Sequence, residues 1–232
     1  MARKLEKSLA VSIPAASVQL AGDLVVPDGA IGTVLFAHGS GSSRLSPRNR
    51  SVARALQERR IATLLLDLLT EEEAEDRANV FDIDFLAERL RYARRFVEQA
   101  KDTRDLPVGY FGASTGAAAA LVAAAGDELI RAVVSRGGRP DLARDALPRV
   151  SAPTLLIVGG NDFGVIELNE DALRRLRCEK RLEIVPGATH LFEEPGTLEQ
   201  VMRLATDWFA EHFATASSRP ASRRHAERPP PR

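Results

Sequence analysis

Residues Gly109-Tyr110-Phe111-Gly112-Ala113-Ser114-Thr115-Gly116-Ala117-Ala118-Ala119-Ala120 decide how the chain is read. An apolar strand beginning at Pro107 runs through Phe111, a turn carries Ser114, and the small residues from Gly116 to Ala125 predict a helix that can lie close on a sheet. Gly112-x-Ser114-x-Gly116 fits a nucleophile elbow, a strained strand-to-helix turn that leaves a serine hydroxyl exposed. A side chain at 112 or 116 would collide with the neighbouring strand or helix where such a turn is tightest. By itself the pattern also suits an ordinary Gly/Ser turn, so the flanking sequence has to decide.

Upstream, Thr33-Val34-Leu35-Phe36-Ala37 is an unbroken apolar run, as in a strand buried on both faces of a parallel sheet. It leads into the small-residue loop His38-Gly39-Ser40-Gly41-Ser42-Ser43. A helix is predicted over 47–59, with Ser46 as N-cap, Pro47 at the first position, and Val52, Ala53, Ala55 and Leu56 on its apolar face. Residues 61–66 read as the next buried strand, ending at Asp67, which suits a helix or loop cap. The acidic run 70–76 reads as a solvated loop. Over 84–101, Phe85, Leu86, Leu90, Ala93, Phe96 and Val97 recur at helical spacing.

Downstream, 129–134, 153–158 and 180–185 read as strands, with a short helix or loop at 140–147 and a helix at 167–177 between them. A last helix over 197–213 gathers Leu198, Val201, Met202, Ala205, Trp208 and Phe209 on one face. Before all of these, 5–13 and 18–26 alternate like an opening β-hairpin. Ser12, Pro14, Ser17 and Gln19 break up the apolar stretch that a signal peptide would need.

Alternation of strand and helix predicts one α/β domain over 1–214, with a mainly parallel sheet of about eight strands, an antiparallel N-terminal hairpin and helices on both faces. From 215 to 232, Ser, Pro, Arg and Ala dominate, ending in Pro229-Pro230-Pro231-Arg232, and this tail is expected to be disordered. Acidic and basic residues balance at 32 each, so no global field draws the chain to nucleic acid or to an anionic membrane. No apolar run reaches the roughly 18–20 residues that span a bilayer. Cys178 is the only cysteine, which excludes an internal disulfide and a Cys-rich metal site and suits a cytoplasmic setting.

In a parallel sheet, ligands bind beyond the carboxyl ends of the strands. His38-Gly39, the Ser114 turn, Asp162 and His190 all fall at such ends and should gather on one edge. A serine hydroxyl needs a base within hydrogen-bond reach, and the base needs a group to hold its tautomer. Of the four histidines, His225 lies in the tail, His212 is placed to cap the end of the last helix, and His38 precedes the serine among glycines. His190 is therefore the candidate base. Asp162, after a strand and a Gly-Gly-Asn turn, is the candidate acid, although it could instead cap the next helix. The order Ser114, Asp162, His190 is that of the Ser…Asp…His hydrolases. An oxyanion formed on attack needs donors: the N–H of Thr115, and one from the small-residue loop, the N–H of Ser40 in preference to that of Gly39 or Gly41.

These motifs together resemble the α/β-hydrolases, and within them the dienelactone hydrolase-like group. The matching residues are His38-Gly39 with its Ser/Gly loop, Gly112-Ala113-Ser114-Thr115-Gly116, Gly160-Asn161-Asp162 and Ala188-Thr189-His190. Dienelactone hydrolases proper carry a cysteine nucleophile where this chain has Ser114, so the resemblance implies a serine esterase rather than lactone cleavage of the dienelactone type. Similar domains occur fused to phosphoribosyltransferases, which implies a metabolic setting. Only about twenty residues separate the strands at 134 and 153, where larger relatives carry a cap, so a small open site without a large cap domain is expected. His38, Gly39, Arg44, Arg48 and Arg136 are candidates to line its mouth, the arginines to meet a substrate carboxylate or phosphate. The expectation is a small soluble ester, thioester or lactone as substrate, with no metal or organic cofactor, no nucleic-acid or membrane partner, and a monomer or homodimer. A peptidase, an acyltransferase or a non-catalytic binding module on the same fold are the alternatives.

Overall fold

A computed structural model describes the backbone of residues 6–217. Its strands are β1 (Glu6–Ala15), β2 (Val18–Pro27), β3 (Thr33–Ala37), β4 (Ala62–Leu66), β5 (Val108–Ala113), β6 (Ile130–Arg136), β7 (Thr154–Gly159) and β8 (Lys180–Val185). They form one eight-stranded sheet in the order β1-β2-β4-β3-β5-β6-β7-β8. The β1–β2 hairpin and the β2–β4 pair are antiparallel, and every later pair is parallel. β3, β4, β5 and β7 are buried at every position, which is why their sequences are apolar without alternation.

The helices are α1 (Pro47–Glu58), α2 (Glu71–Glu75), α3 (Arg77–Phe81), α4 (Ile83–Gln99), α5 (Thr115–Ala124), α6 (Phe163–Arg175) and α7 (Thr197–Ser217), with a kinked 3₁₀ segment at Pro140–Arg149. Strand side chains alternate between faces, and two cores result. Val34, Phe36, Phe111, Val134 and Ile157 meet α1 and α7 on one face. Leu35, Leu64, Tyr110, Val133 and Leu156 meet α4, α5, α6 and the 3₁₀ segment on the other. α5 lies against α4, the 3₁₀ segment and the sheet at once and is buried at every residue, so alanine is what fits there. Gly109 makes a similar allowance on the opposite face, since a Cβ there would stand 2.7 Å from the Phe209 ring. No helix among the described residues is long and apolar enough to cross a membrane.

Three readings are corrected. The acidic run is helical: Thr70 Oγ1 accepts from the Glu73 N–H at 3.1 Å and the Glu73 carboxylate accepts from the Thr70 N–H at 3.0 Å, a capping box that opens α2. Glu73 also pairs with Arg89, which is 6% exposed and donates to Ala15 O at 2.7 Å. That distant cation anchors the acidic turn and is invisible in the run itself. The helix placed at 167–177 starts earlier, at Phe163. The helix placed at 197–213 continues to Ser217, so His212 lies inside it rather than at its end. It is buried, edge-on to Trp208 at 4.4 Å. His225 and the rest of the tail lie outside the described residues. Between β6 and β7 only the 3₁₀ segment intervenes, and no cap domain is present there.

Candidate active site

β5 ends at Ala113 and α5 begins at Thr115, so the whole reversal falls on Ser114, which takes φ 51° and ψ −123°. A non-glycine residue is strained in that region, and it stays there only because its surroundings leave no alternative. The two glycines supply the constraint. A Cβ on Gly112 would lie 2.4 Å from Ala117 Cα, and one on Gly116 would lie 2.2 Å from Ala37 O. Helix and strand ends therefore close on the turn from both sides. Ser114 N–H donates to Arg136 O at 3.2 Å, tying the elbow to β6.

Asp162 follows β7 and occupies the N-cap position of α6, but its side chain caps nothing. The carboxylate turns instead to His190, with Oδ2 2.7 Å from Nδ1. The other ring nitrogen, Nε2, is 3.4 Å from Ser114 Oγ. Residues 162 and 190 are thus brought onto the elbow from two separate strand ends, and Nδ1–H donating to a carboxylate leaves Nε2 facing the serine as an acceptor. The loop after β8 that carries His190 is braced by a residue the sequence reading missed. Glu194 accepts from the Thr189 hydroxyl at 2.6 Å and the Thr189 N–H at 3.0 Å, and these bonds hold its carboxyl below the usual range.

At the oxyanion side, Thr115 is the first residue of α5, so its N–H has no partner in the helix ladder. Ser40 comes to the same place with its N–H donating to Thr115 Oγ1 at 2.9 Å. The donor expected to be free is thus engaged by the hydroxyl of the other expected donor. Gly39 packs beneath Ser114: a Cβ there would stand 3.0 Å from Ser114 Cβ.

The remaining candidates separate. His38 does not face the site with a free nitrogen. Nδ1 is 3.0 Å from Gly39 O, and Nε2 accepts from the Leu68 N–H at 3.2 Å, so Nδ1 carries the proton and the ring clamps the β3 and β4 ends together. Burial pushes its pKa below the ordinary 6.5. Arg44 is likewise held away, its N–H and guanidinium both bound to Asp67, as expected of a loop-capping carboxylate. Arg48 pairs with Glu193 at 3.0 Å. Arg136 is 7% exposed, and burial together with the positive charge of Arg48 pulls it down to about 10.

Residues 54–213 match the Dienelactone hydrolase family. A dienelactone hydrolase structure from Anabaena variabilis is 59% identical, with a TM-score of 0.86 over 89% of this chain and 98% of that one. Est1E from Butyrivibrio proteoclasticus superposes with a TM-score of 0.76 at 17% identity, over 88% of this chain and 99% of its own. An α/β serine hydrolase without a lid from Xanthomonas campestris does so with 0.73 at 20% identity, over 88% and 94%. A Mycobacterium tuberculosis protein described as a phosphoribosyl transferase is 61% identical over 204 residues, which are 88% of this chain and 46% of that protein. The chain thus spans about half the length of that relative.

Proposed function

The chain belongs to the dienelactone hydrolase family, and from that membership we propose that it is a serine hydrolase cleaving a small soluble ester, thioester or lactone through an acyl-enzyme on Ser114. The observation that carries this reading is the unbroken hydrogen-bond chain from Ser114 Oγ through both His190 nitrogens to Asp162. His190 Nε2 takes the hydroxyl proton as Oγ attacks the carbonyl carbon, then returns it to the leaving oxygen or sulfur. Asp162 keeps the tautomer and stabilises the imidazolium that forms between the two transfers. Water, deprotonated by the same nitrogen, then releases the acid. The 3.4 Å separation of Nε2 and Oγ is long for a proton transfer and shortens once substrate is seated.

The Thr115 N–H receives the oxyanion. Ser40 joins it by exchanging the neutral Thr115 hydroxyl for the charged oxygen, a stronger acceptor. Absence of a cap between β6 and β7 supports a short acyl group and a soluble substrate. A cytoplasmic setting fits the single free cysteine, Cys178. A fluorophosphonate probe tests the reading directly. Labelling is expected at Ser114 and is expected to vanish in Ser114→Ala; adduct formation at another serine, or none on the wild type, would rule the reading out.

A further inference from the structure

Arg136 presents an electrostatic problem that the triad does not solve. Its guanidinium is buried, yet among the described residues its one bond is a long one, Nη2 to Asn49 Oδ1 at 3.4 Å. Among the described residues Nε and Nη1 find no acceptor, and neither does Nε of Arg48, the residue before Asn49. Two cationic heads thus lie close together, with a single carboxylate, the largely exposed Glu193, on Arg48 alone. Buried charge without a counter-charge is costly. The site adds further positive character: Arg48 and Asn49 are in the first turn of α1, where the helix dipole favours an anion; Pro47 carries no N–H and Ser46 Oγ takes that of Asn49, which leaves the Arg48 N–H as the donor there.

The place of this cluster gives it meaning. Arg136 closes β6, its carbonyl holds the Ser114 N–H, and a Cβ on the adjoining Gly137 would stand 3.0 Å from His190 O. Glu193 lies three residues beyond His190, so the Arg48–Glu193 pair borders the same loop. We propose that Arg136, Arg48 and the N-terminus of α1 form a subsite for a phosphate group of the substrate, beside the Ser114 triad. Three unpartnered guanidinium nitrogens on two cations match a tetrahedral dianion with three terminal oxygens better than a planar carboxylate with two. The favoured substrate is then a small phosphate-bearing ester. Glu193 holds Arg48 until the phosphate displaces it.

This assignment of substrate rests on the esterase reading, so the test separates the two. Thermal unfolding is followed with inorganic phosphate, with acetate and with chloride at matched ionic strength, in wild type, Ser114→Ala, Arg136→Met and Arg48→Gln. A saturable rise of Tm is expected with phosphate alone, in wild type and in Ser114→Ala, and its loss is expected in Arg136→Met and its weakening in Arg48→Gln. Hydrolysis of acetylated glycerol 3-phosphate is then compared with that of acetylated glycerol. The wild type should prefer the phosphate ester by about tenfold or more in kcat/KM, and Arg136→Met should erase the preference while its Ser114 still takes the fluorophosphonate. Removing a charge that lacks a counter-ion should leave the fold intact. An equal response to acetate, a phosphate response that survives in Arg136→Met, or no preference between the two esters would overturn the subsite. Failure of Ser114 to label, with the phosphate shift still present, would overturn the esterase reading and leave the anion site standing.

Discussion

His38 shows what one side chain contributes apart from chemistry. Both ring nitrogens are used in the neutral form, one donating to Gly39 O and one accepting from the Leu68 N–H. Its folded pKa therefore lies below the unfolded 6.5, with burial as the largest cause. As pH falls below 6.5 the unfolded chain binds the proton first, so stability is full above that pH and declines beneath it. His38→Gln, which cannot titrate, should be less stable than wild type at pH 8, and the gap in Tm should narrow towards pH 5. A gap that stays constant would sink this account. Legibility at this scale was uneven. Ser114, Asp162 and His190 could be named because their chemistry demands those residue types at strand ends. Arg44 and His38 occupy the same edge, but which way a side chain turns depends on its contact with Asp67 or the Leu68 N–H, and no spacing along the chain gives those contacts. Asp162 could have capped α6; only the approach of His190 draws it away.

Elements were read well where their cause was local and poorly where it was not. α1 carries its own start signal in Ser46-Pro47, and the structure places the helix at Pro47–Glu58 with Ser46 accepting from the Asn49 N–H. The elbow likewise carries its glycines within five residues. α2 was misread because charge density suggested solvent, whereas Glu73 serves a capping box and a buried Arg89. Glu73→Ala removes both partners and should lower unfolding free energy by about 2–3 kcal/mol. Glu73→Gln keeps a capping group, loses the ion pair, and should fall between. Denaturant titration checks the ranking, and equal losses in the two variants would mean that the cap contributes nothing.

Across the whole molecule one sheet separates two cores, and each depends on the other through the shared strands. Phe209→Ala on the α7 face should cost about 3–5 kcal/mol, and Leu90→Ala on the α4 face about 2–5. Both should move a single unfolding transition, followed by circular dichroism and by Trp208 fluorescence; two separable transitions would show that the faces unfold independently. The antiparallel hairpin and the helices on both faces follow from apolar period and right-handed crossover, which is why a mainly parallel α/β sheet could be named from residues alone, whereas the strand order came only with the fold. The amino-acid sequence by itself determined the class of fold, the elbow and the three candidates for nucleophile, base and acid, because those depend on residue type, spacing and order. Only the tertiary structure decided which charges meet: Asp162 with His190, Glu73 with Arg89, Asp67 with Arg44, and Arg136 buried beside Arg48 with no carboxylate of its own among the described residues. Electrostatic partners are chosen by distances of a few ångströms between residues far apart in the chain, and no periodicity in the chain encodes those distances.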